Sequence, residues 1–489
     1  MTRKVWLSVS LVLLEVVAVA NRPSVASQNA DKVFERIARV EKGLLPAVVI
    51  KGQSGAMTIA DRLAHYKVPG VSVAVINDGK LEWSKGYGVT EAGGTTPVKP
   101  ETMFQAASIS KPVAAMGMLA LVEQGKLSLD EDVNAKLKSW KVPDNEFTKE
   151  QKVTLRRLAS HSAGLTVHGF RGYAADEPVP TAVQLLDGQK PANSAPVRVN
   201  VLPGSLWRYS GGGITVMQLL MADVTGKAFP ALMRESVLDK LGMKNSTYEQ
   251  PLPTEYAVRA ATGHRSNGQA IKGKWHTYPE MAAAGLWTTP SDLAKFAVEI
   301  QQANAGKSAK VLSQAMVKQL LTKQSGDYGL GVAVGGEGNA RTFSHSGSNE
   351  GFKCLLFAYT ETGKGAVVMT NGDQGSQLAN EILRGIAREY GWPDYQTTER
   401  TLAKVNPEVF NAYIGDYNVN GTVKITAENG KLYIQPPGET KSELFAESET
   451  EFFLTSGNVR IVFVKDEQGA VNAVKVYFGG RAVDGKRIK

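Results

Sequence analysis

Phe104-Gln105-Ala106-Ala107-Ser108-Ile109-Ser110-Lys111-Pro112 runs directly into residues 113–124, where Val113, Met116, Met118, Leu119, Leu121 and Val122 cover nearly every helical face. A helix that is apolar all round belongs inside a domain, and Gly125 is well suited to the position just past its end. Ser108 and Lys111 stand three residues apart at the start of that helix, so both side chains emerge on one face. A serine hydroxyl is a weak nucleophile until a neighbouring base or amine activates it. The helix start adds unpaired N–H groups and partial positive charge near any oxyanion formed there. The competing reading is a helix cap followed by an exposed lysine, since S-x-x-K alone is a weak motif. Placement before a buried helix favours the functional reading, because a lysine belongs there only if paired or functional.

Outward from this stretch, the periodicity predicts an amphipathic helix over 31–42 and a shorter one over 60–66. Residues 71–76 and 81–87 flank Asn77-Asp78-Gly79 as a hairpin. Residues 126–300 read as helices with long loops. Thr154 caps 155–159, Gly226 closes a helix over 213–224, and Thr289-Pro290-Ser291-Asp292 opens one over 293–302. Strands return at 352–359 and 366–370, followed by a helix over 377–390. Strands at both ends with helices between them predict an α+β domain, an antiparallel sheet flanked by helices with a helical insertion. After Trp392-Pro393 the composition changes to short β runs at 415–417, 423–425, 432–434, 451–454, 459–463 and 474–477. Turns such as Asn429-Gly430 separate them, which predicts a small all-β, barrel-like domain. The expected plan is a leader over 1–26, a main domain over 27–395 and a β domain over 405–489.

With 489 residues, 43% hydrophobic and 21% charged, the chain reads as a folded protein of more than one domain. Its net charge of +9 is spread without a Lys/Arg run, so a nucleic-acid partner is not expected. Arg3 and Lys4, the apolar residues 5–14, and the small-residue runs Ala18-Val19-Ala20 and Ser24-Val25-Ala26 read as a secretory signal cut after Ala20 or Ala26. Glu15 breaks the apolar run well short of the ~20 residues a membrane span needs. Export to the periplasm is the expected fate. The only cysteine, Cys354, excludes an internal disulfide framework and a lipid-attachment site near the leader. The six histidines, His65, His161, His168, His264, His276 and His345, form no H-E-x-x-H or close pair, so neither a metal nor another cofactor is expected. No G-x-S-x-G elbow or phosphate-binding G-x-x-x-x-G-K-[ST] loop occurs.

Two further stretches bear on Ser108. Trp207-Arg208-Tyr209-Ser210-Gly211-Gly212-Gly213 leads into another apolar helix. A lone tyrosine there is usually packing, but beside a cationic lysine its phenolate is favoured and it can take the serine proton. Phe343-Ser344-His345-Ser346-Gly347-Ser348-Asn349-Glu350-Gly351-Phe352 precedes a strand, and Gly347 would let a substrate lie close to the backbone. His345 alone reads as structural, as does His161 within Leu158-Ala159-Ser160-His161-Ser162-Ala163-Gly164-Leu165.

Taken in order, these three stretches resemble the penicillin-recognising serine hydrolases: class C β-lactamases, D,D-carboxypeptidases of the same fold, and their esterase and aminopeptidase relatives. That family's pattern is S-x-x-K, then Tyr-x-Asn, then Lys/His-[Thr/Ser]-Gly on an edge strand. Leu241-Gly242-Met243 and Ala284-Gly285-Leu286-Trp287-Thr288-Thr289-Pro290-Ser291-Asp292-Leu293 add to the likeness, which spans about residues 55 to 390. The resemblance implies Ser108 as acylated nucleophile, Lys111 as its activating partner, Tyr209 as proton shuttle and His345 as Tyr209's electrostatic or proton-transfer partner. It also implies an oxyanion hole from the N–H groups of Ser108 and Ser348. Gly211 stands where the family has asparagine, which removes an amide that helps bind the acylamino carbonyl of β-lactams and peptides. His345 in place of lysine points the same way. The expected enzyme is a metal-independent serine hydrolase acting on small esters or amides. The alternatives are a β-lactamase, D,D-carboxypeptidase or D-aminopeptidase acting on cell-wall-like peptides, and a non-catalytic binding or sensing protein on the same scaffold. The intact Ser108, Lys111 and Tyr209 argue against the last.

Overall fold

The computed structural model describes Thr2 and residues 25–437, 441–478 and 481–488, so the expected leader lies outside the described residues except where Val25 and Ala26 begin a helix. The central sheet is built from β1 (Gly70–Asn77), β2 (Lys80–Gly88), β3 (Ala333–Gly335), β4 (Thr342–Asn349), β5 (Phe352–Tyr359) and β6 (Gly365–Thr370). Its order is β2-β1-β6-β5-β4-β3, with every neighbouring pair antiparallel. The β1–β2 hairpin turns at Asp78 and Gly79, both at positive φ (52° and 67°), the geometry a tight two-residue hairpin turn needs.

Side chains that alternate along a strand face opposite sides of the sheet, and here both sides are covered. Val71, Val73 and Val75 of β1 pack with α1 (Val25–Glu41), α2 (Ile59–Tyr66) and the last helix of the main domain, Gly375–Tyr390. Ala74 and Ile76 face the other, larger core, which holds α3 (Ser110–Glu123) and α4 (Gly211–Thr225). That core also takes in the single turn α5 (Met281–Ala284) and α6 (Pro290–Asn304). Every residue of α3 from Ser110 to Leu121 is buried, which fits its all-apolar sequence.

The structure departs from the sequence reading in places that bear on the site. A 3₁₀ turn, Ala107–Ile109, precedes α3, which starts at Ser110, so Lys111 already lies in its first turn. Helix α4 starts at Gly211, two residues early, because Ser210 caps it by accepting from the Gly213 N–H at 2.9 Å. The stretch around His345 is itself strand β4, although Ser-His-Ser-Gly-Ser-Asn is poor in strand formers.

The C-terminal region closes an eight-stranded antiparallel barrel: β7 (Gly415–Asn418), β8 (Thr422–Glu428), β9 (Lys431–Gln435), β10 (Ser442–Ala446), β11 (Glu451–Phe453), β12 (Val459–Lys465), β13 (Val471–Phe478) and β14 (Arg481–Arg487). Strands β10 and β14 are absent from the sequence reading, because their polar Ser-Glu and Asp-Gly-Lys positions hide the alternation. Aromatic side chains fill the interior, with the Tyr413 and Phe463 rings stacked 4.2 Å apart. The barrel meets the main domain where Phe453 packs on Ala47, Val48 and Ile50. A groove of about 1020 Å³ separates it from α2 and from Gln377 and Glu381 of the last helix, on the sheet face away from α3.

Candidate active site

Ser108 sits in the 3₁₀ turn immediately after Ala107, whose φ of +49° is a strained conformation for a residue with a side chain. Several bonds hold that turn in place. The Ala106 N–H donates to Leu286 O (2.8 Å), the Leu286 N–H donates to Ser110 Oγ (2.9 Å), and Ser110 Oγ donates to Ala107 O (2.5 Å). Lys111 is 2% exposed, and its Nζ donates to Ser108 Oγ at 2.8 Å and to Ala283 O of α5 at 2.7 Å. An ammonium this buried is costly unless paired, and Ser108 Oγ and Ala283 O accept two of its donors.

Tyr209 is half-buried, with its ring centroid 5.0 Å from Lys111 Nζ. The His161 and His168 rings lie 4.2 and 4.9 Å from it, and the His345 ring 6.2 Å. The structure therefore brings Ser108, Lys111, Tyr209 and His345 together from three separate segments. Tyr328, which the sequence does not single out, closes the cluster against His161 at 4.9 Å.

Burial holds the two buried histidines of this cluster, His161 and His345, neutral, with opposite tautomers. Burial and the Lys111 charge push the His345 pKa down to about 3. Its Nδ1 donates to Ser346 O at 2.6 Å, which leaves a buried Nε2 acceptor without a partner. Burial, again aided by Lys111, also pushes His161 well below its ordinary value. His161 Nδ1 accepts from the Ser210 N–H (3.2 Å), so its proton sits on an equally unpartnered Nε2. His161 thus anchors the segment that carries Tyr209 and packs on the tyrosine ring. Position and ring spacing give it more than the purely structural part read from sequence.

Strand β3 pairs with β4 only from Thr342 to Ser344, so residues 345–349 keep an open edge that runs against the Ser108 turn. Ser346 and Ser348 are exposed there, and Asn349 is buried. Asn349 Nδ2 donates to Gln105 Oε1 (2.8 Å) and Ala284 O (3.1 Å), and Gln105 Nε2 donates to His276 O (2.8 Å). This network fixes the open edge to the serine turn and α5. Gln105 and Asn349 lie inside the quoted stretches, yet no spacing rule marks them. A Cβ at Gly347 would run into the Ala106 carbonyl and Cys354 Sγ, so this glycine also lets the strand close on the serine turn. Gly211 lies in the first turn of α4, with its N–H donating to His168 O at 3.0 Å. Among the described residues, no cluster of three or more His, Cys, Asp or Glu is placed to hold a metal ion.

An antiparallel sheet with helices on both faces, carrying a lysine-bonded serine ahead of a buried helix, defines an acyl-transfer scaffold. Its family model, Beta-lactamase, matches residues 56–389, and the chain belongs to that family. It is therefore a serine hydrolase of the β-lactamase and penicillin-binding-protein superfamily. Residues 399–487 match a domain of unknown function, DUF3471. "Penicillin-binding protein 4*" of Bacillus subtilis (strain 168) is 24% identical over 440 residues, covering 86% of this chain and 95% of that protein. "Esterase EstB" of Burkholderia gladioli is 26% identical over 237 residues, covering 47% of this chain and 59% of that protein. The octameric penicillin-binding protein homologue from Pyrococcus abyssi shares the fold with a TM-score of 0.57 at 21% identity, covering 88% of this chain and 98% of that one.

Proposed function

We propose that the chain hydrolyses small carboxylic esters or amides through an acyl-enzyme on Ser108. The observation that carries this is the 2.8 Å contact between buried Lys111 Nζ and Ser108 Oγ, with Tyr209 beside it. Ser108 Oγ attacks the substrate carbonyl carbon while Lys111 orients and polarises the hydroxyl and Tyr209 takes its proton. The backbone N–H groups of Ser108 and Ser348 receive the oxyanion, a type of donor worth about 3 kcal/mol each. The bond to the leaving group then breaks, and the proton passes from Tyr209 to the departing oxygen or nitrogen. A water molecule attacks the ester carbon by the reverse path, which releases the acid and frees Ser108. His345, neutral, offers its Nε2 lone pair near Tyr209 as a proton-transfer partner rather than as a fixed cation.

Gly211 and His345 favour simple esters and amides over β-lactams. The esterase relative supports that ranking, and the penicillin-binding relative keeps cell-wall-like peptides as the second reading. Initial rates on p-nitrophenyl esters, D-amino acid amides and nitrocefin should rank in that order. Faster turnover of nitrocefin than of any ester would move the enzyme to the β-lactamase reading. The leader pattern in residues 1–26 supports export to the periplasm. Recovery of the expressed protein from the periplasmic fraction with its amino terminus at Asn21 or Ser27 tests this, and an intact Met1 in the cytoplasm contradicts it.

A further inference from the structure

Where an asparagine amide would stand, the chain has built a wall from residues 166–171. This loop lies across the first turn of α4. The Gly211 N–H donates to His168 O (3.0 Å) and the Gly212 N–H to Val167 O (3.0 Å), while Ser210 Oγ donates to Thr166 O (2.7 Å). The helix-start donors at Gly211 and Gly212 are thereby bonded to the loop, and Ser210 Oγ serves as cap and donor at once. A Cβ at Gly211 would meet Phe170 Cε2 at 3.0 Å and His168 O at 3.1 Å, so ring and carbonyl take the room a longer side chain would need. Val167 holds φ = +62°, an outlier for a β-branched residue, and such strain persists only where the surroundings over-determine the backbone. His168 reaches from the same loop to the Tyr209 ring.

Phe170 has a second side. It also lines a cavity of about 550 Å³ together with Val167, Ala195, Pro196 and the arginines Arg171 and Arg198. Both arginines are ion-paired, Arg171 to Glu177 (2.6 Å) and Arg198 to Asp187 (3.2 Å), so neither offers an uncompensated charge. The ring therefore stands between Gly211, at the start of α4 beside Tyr209, and a hollow of mixed polarity that Thr166, Asn193, Ser194 and Asn200 also line.

We infer that Phe170 is the specificity-determining residue of this site: it gives the substrate an apolar wall in place of a hydrogen-bonding amide, and it limits how long an apolar substituent can be by closing off the cavity behind. The substrate class that follows is esters or amides carrying a short apolar substituent and no acylamino group. This inference rests on the acyl-enzyme reading above.

The test is a series of p-nitrophenyl esters from acetate to decanoate on wild type, Phe170→Ala, Phe170→Leu and Phe170→Trp, with fluorophosphonate labelling of Ser108 measured on each. Opening a hydrophobic pocket by a few carbons is worth roughly 10- to 200-fold in discrimination. Phe170→Ala should accordingly raise the decanoate-to-acetate ratio of kcat/KM by about tenfold or more, with Phe170→Leu intermediate. Phe170→Trp should lower the ratio below wild type. If all four proteins label at Ser108 and the ratio stays flat, Phe170 does not set specificity and the inference is overturned while the acyl-enzyme reading stands. If wild type forms no adduct, the acyl-enzyme reading falls first and the inference with it. Should Phe170→Ala fail to fold, the leucine and tryptophan variants still carry the comparison in opposite directions.

Discussion

The site region and the C-terminal barrel are built on opposite polar economies. Among the described residues, every buried side-chain donor or acceptor without a hydrogen-bond partner lies between Ser72 and Arg400, and two of them, His161 Nε2 and His345 Nε2, border Tyr209. Strands β7–β14 hold none. The buried tyrosine hydroxyls there are satisfied, Tyr413 donating to Glu449 O (2.6 Å) and Tyr417 to Tyr413 O (2.9 Å). A buried polar atom left unpaired costs free energy, so a fold tolerates one where something else compensates, and functional sites are the usual place. The strained Ala107 and Val167 fall on the same side of the contrast. The difference sets the reactive cluster of the main domain apart from a barrel in which, among the described residues, buried polar side-chain atoms are paired. No barrel residue shares a hydrogen bond or ring contact with Ser108, Lys111, Tyr209 or His345 among the described interactions.

Substitutions can break or sharpen that contrast. The largest effect is expected at Lys111→Ala, which should lower kcat by on the order of 10⁴- to 10⁶-fold, because members of a nucleophile unit fail together. A double variant with Ser108→Ala should be no worse than either alone. Steady-state kinetics on the best ester checks both points. Tyr209→Phe removes the proton carrier but keeps the ring packed on His161, so kcat should fall by about 10²- to 10⁴-fold with the melting temperature nearly unchanged. A fall in stability matching the fall in rate would make Tyr209 a packing residue instead.

Phe453→Ala tests the barrel side. Phe453 is fully buried, stacks on Phe445 with ring centroids 5.9 Å apart, and packs on Val48 and Ile50. Its removal should cost about 3–5 kcal/mol by urea unfolding, with kcat/KM of the folded enzyme unchanged. A loss of activity beyond the unfolded fraction would bring the barrel into the site's workings. The smallest effect concerns pH. His345 titrates near 3 when folded against 6.5 when exposed, so the unfolded chain binds the extra proton between those values. Stability should therefore rise with pH from about 3 to about 6.5, and be fully present above that range. His161, also shifted down by burial, acts with the same sign. His345→Asn should flatten the slope between pH 4 and pH 7 without abolishing it, as read from urea midpoints.

How much of this was legible beforehand follows from what each signal depends on. The hairpin at Asn77-Asp78-Gly79, the Thr154 and Thr289 caps and the all-apolar α3 are local features, and each appears where the sequence places it. Ser108 and Lys111 were legible because their spacing is local too. Strand β4 was not, since its own residues are weak strand formers and its grip on Ala106 is long-range, although its pairing with β5 is a local hairpin. The neutrality of His345 depends on burial and on a lysine 234 positions away in the chain, which no local pattern reveals. The Phe170 wall has the same character, because nothing in residues 166–171 announces that they will fold across Gly211.

The central claim is that Ser108 becomes covalently acylated with Lys111 at its side. Intact mass spectrometry of purified wild type after brief exposure to a fluorophosphonate, followed by peptide mapping, tests it most directly. A single adduct on the peptide containing Ser108, absent from Ser108→Ala and strongly slowed in Lys111→Ala, is the expected result. An unmodified wild type, or equal labelling of the alanine variant, would contradict it.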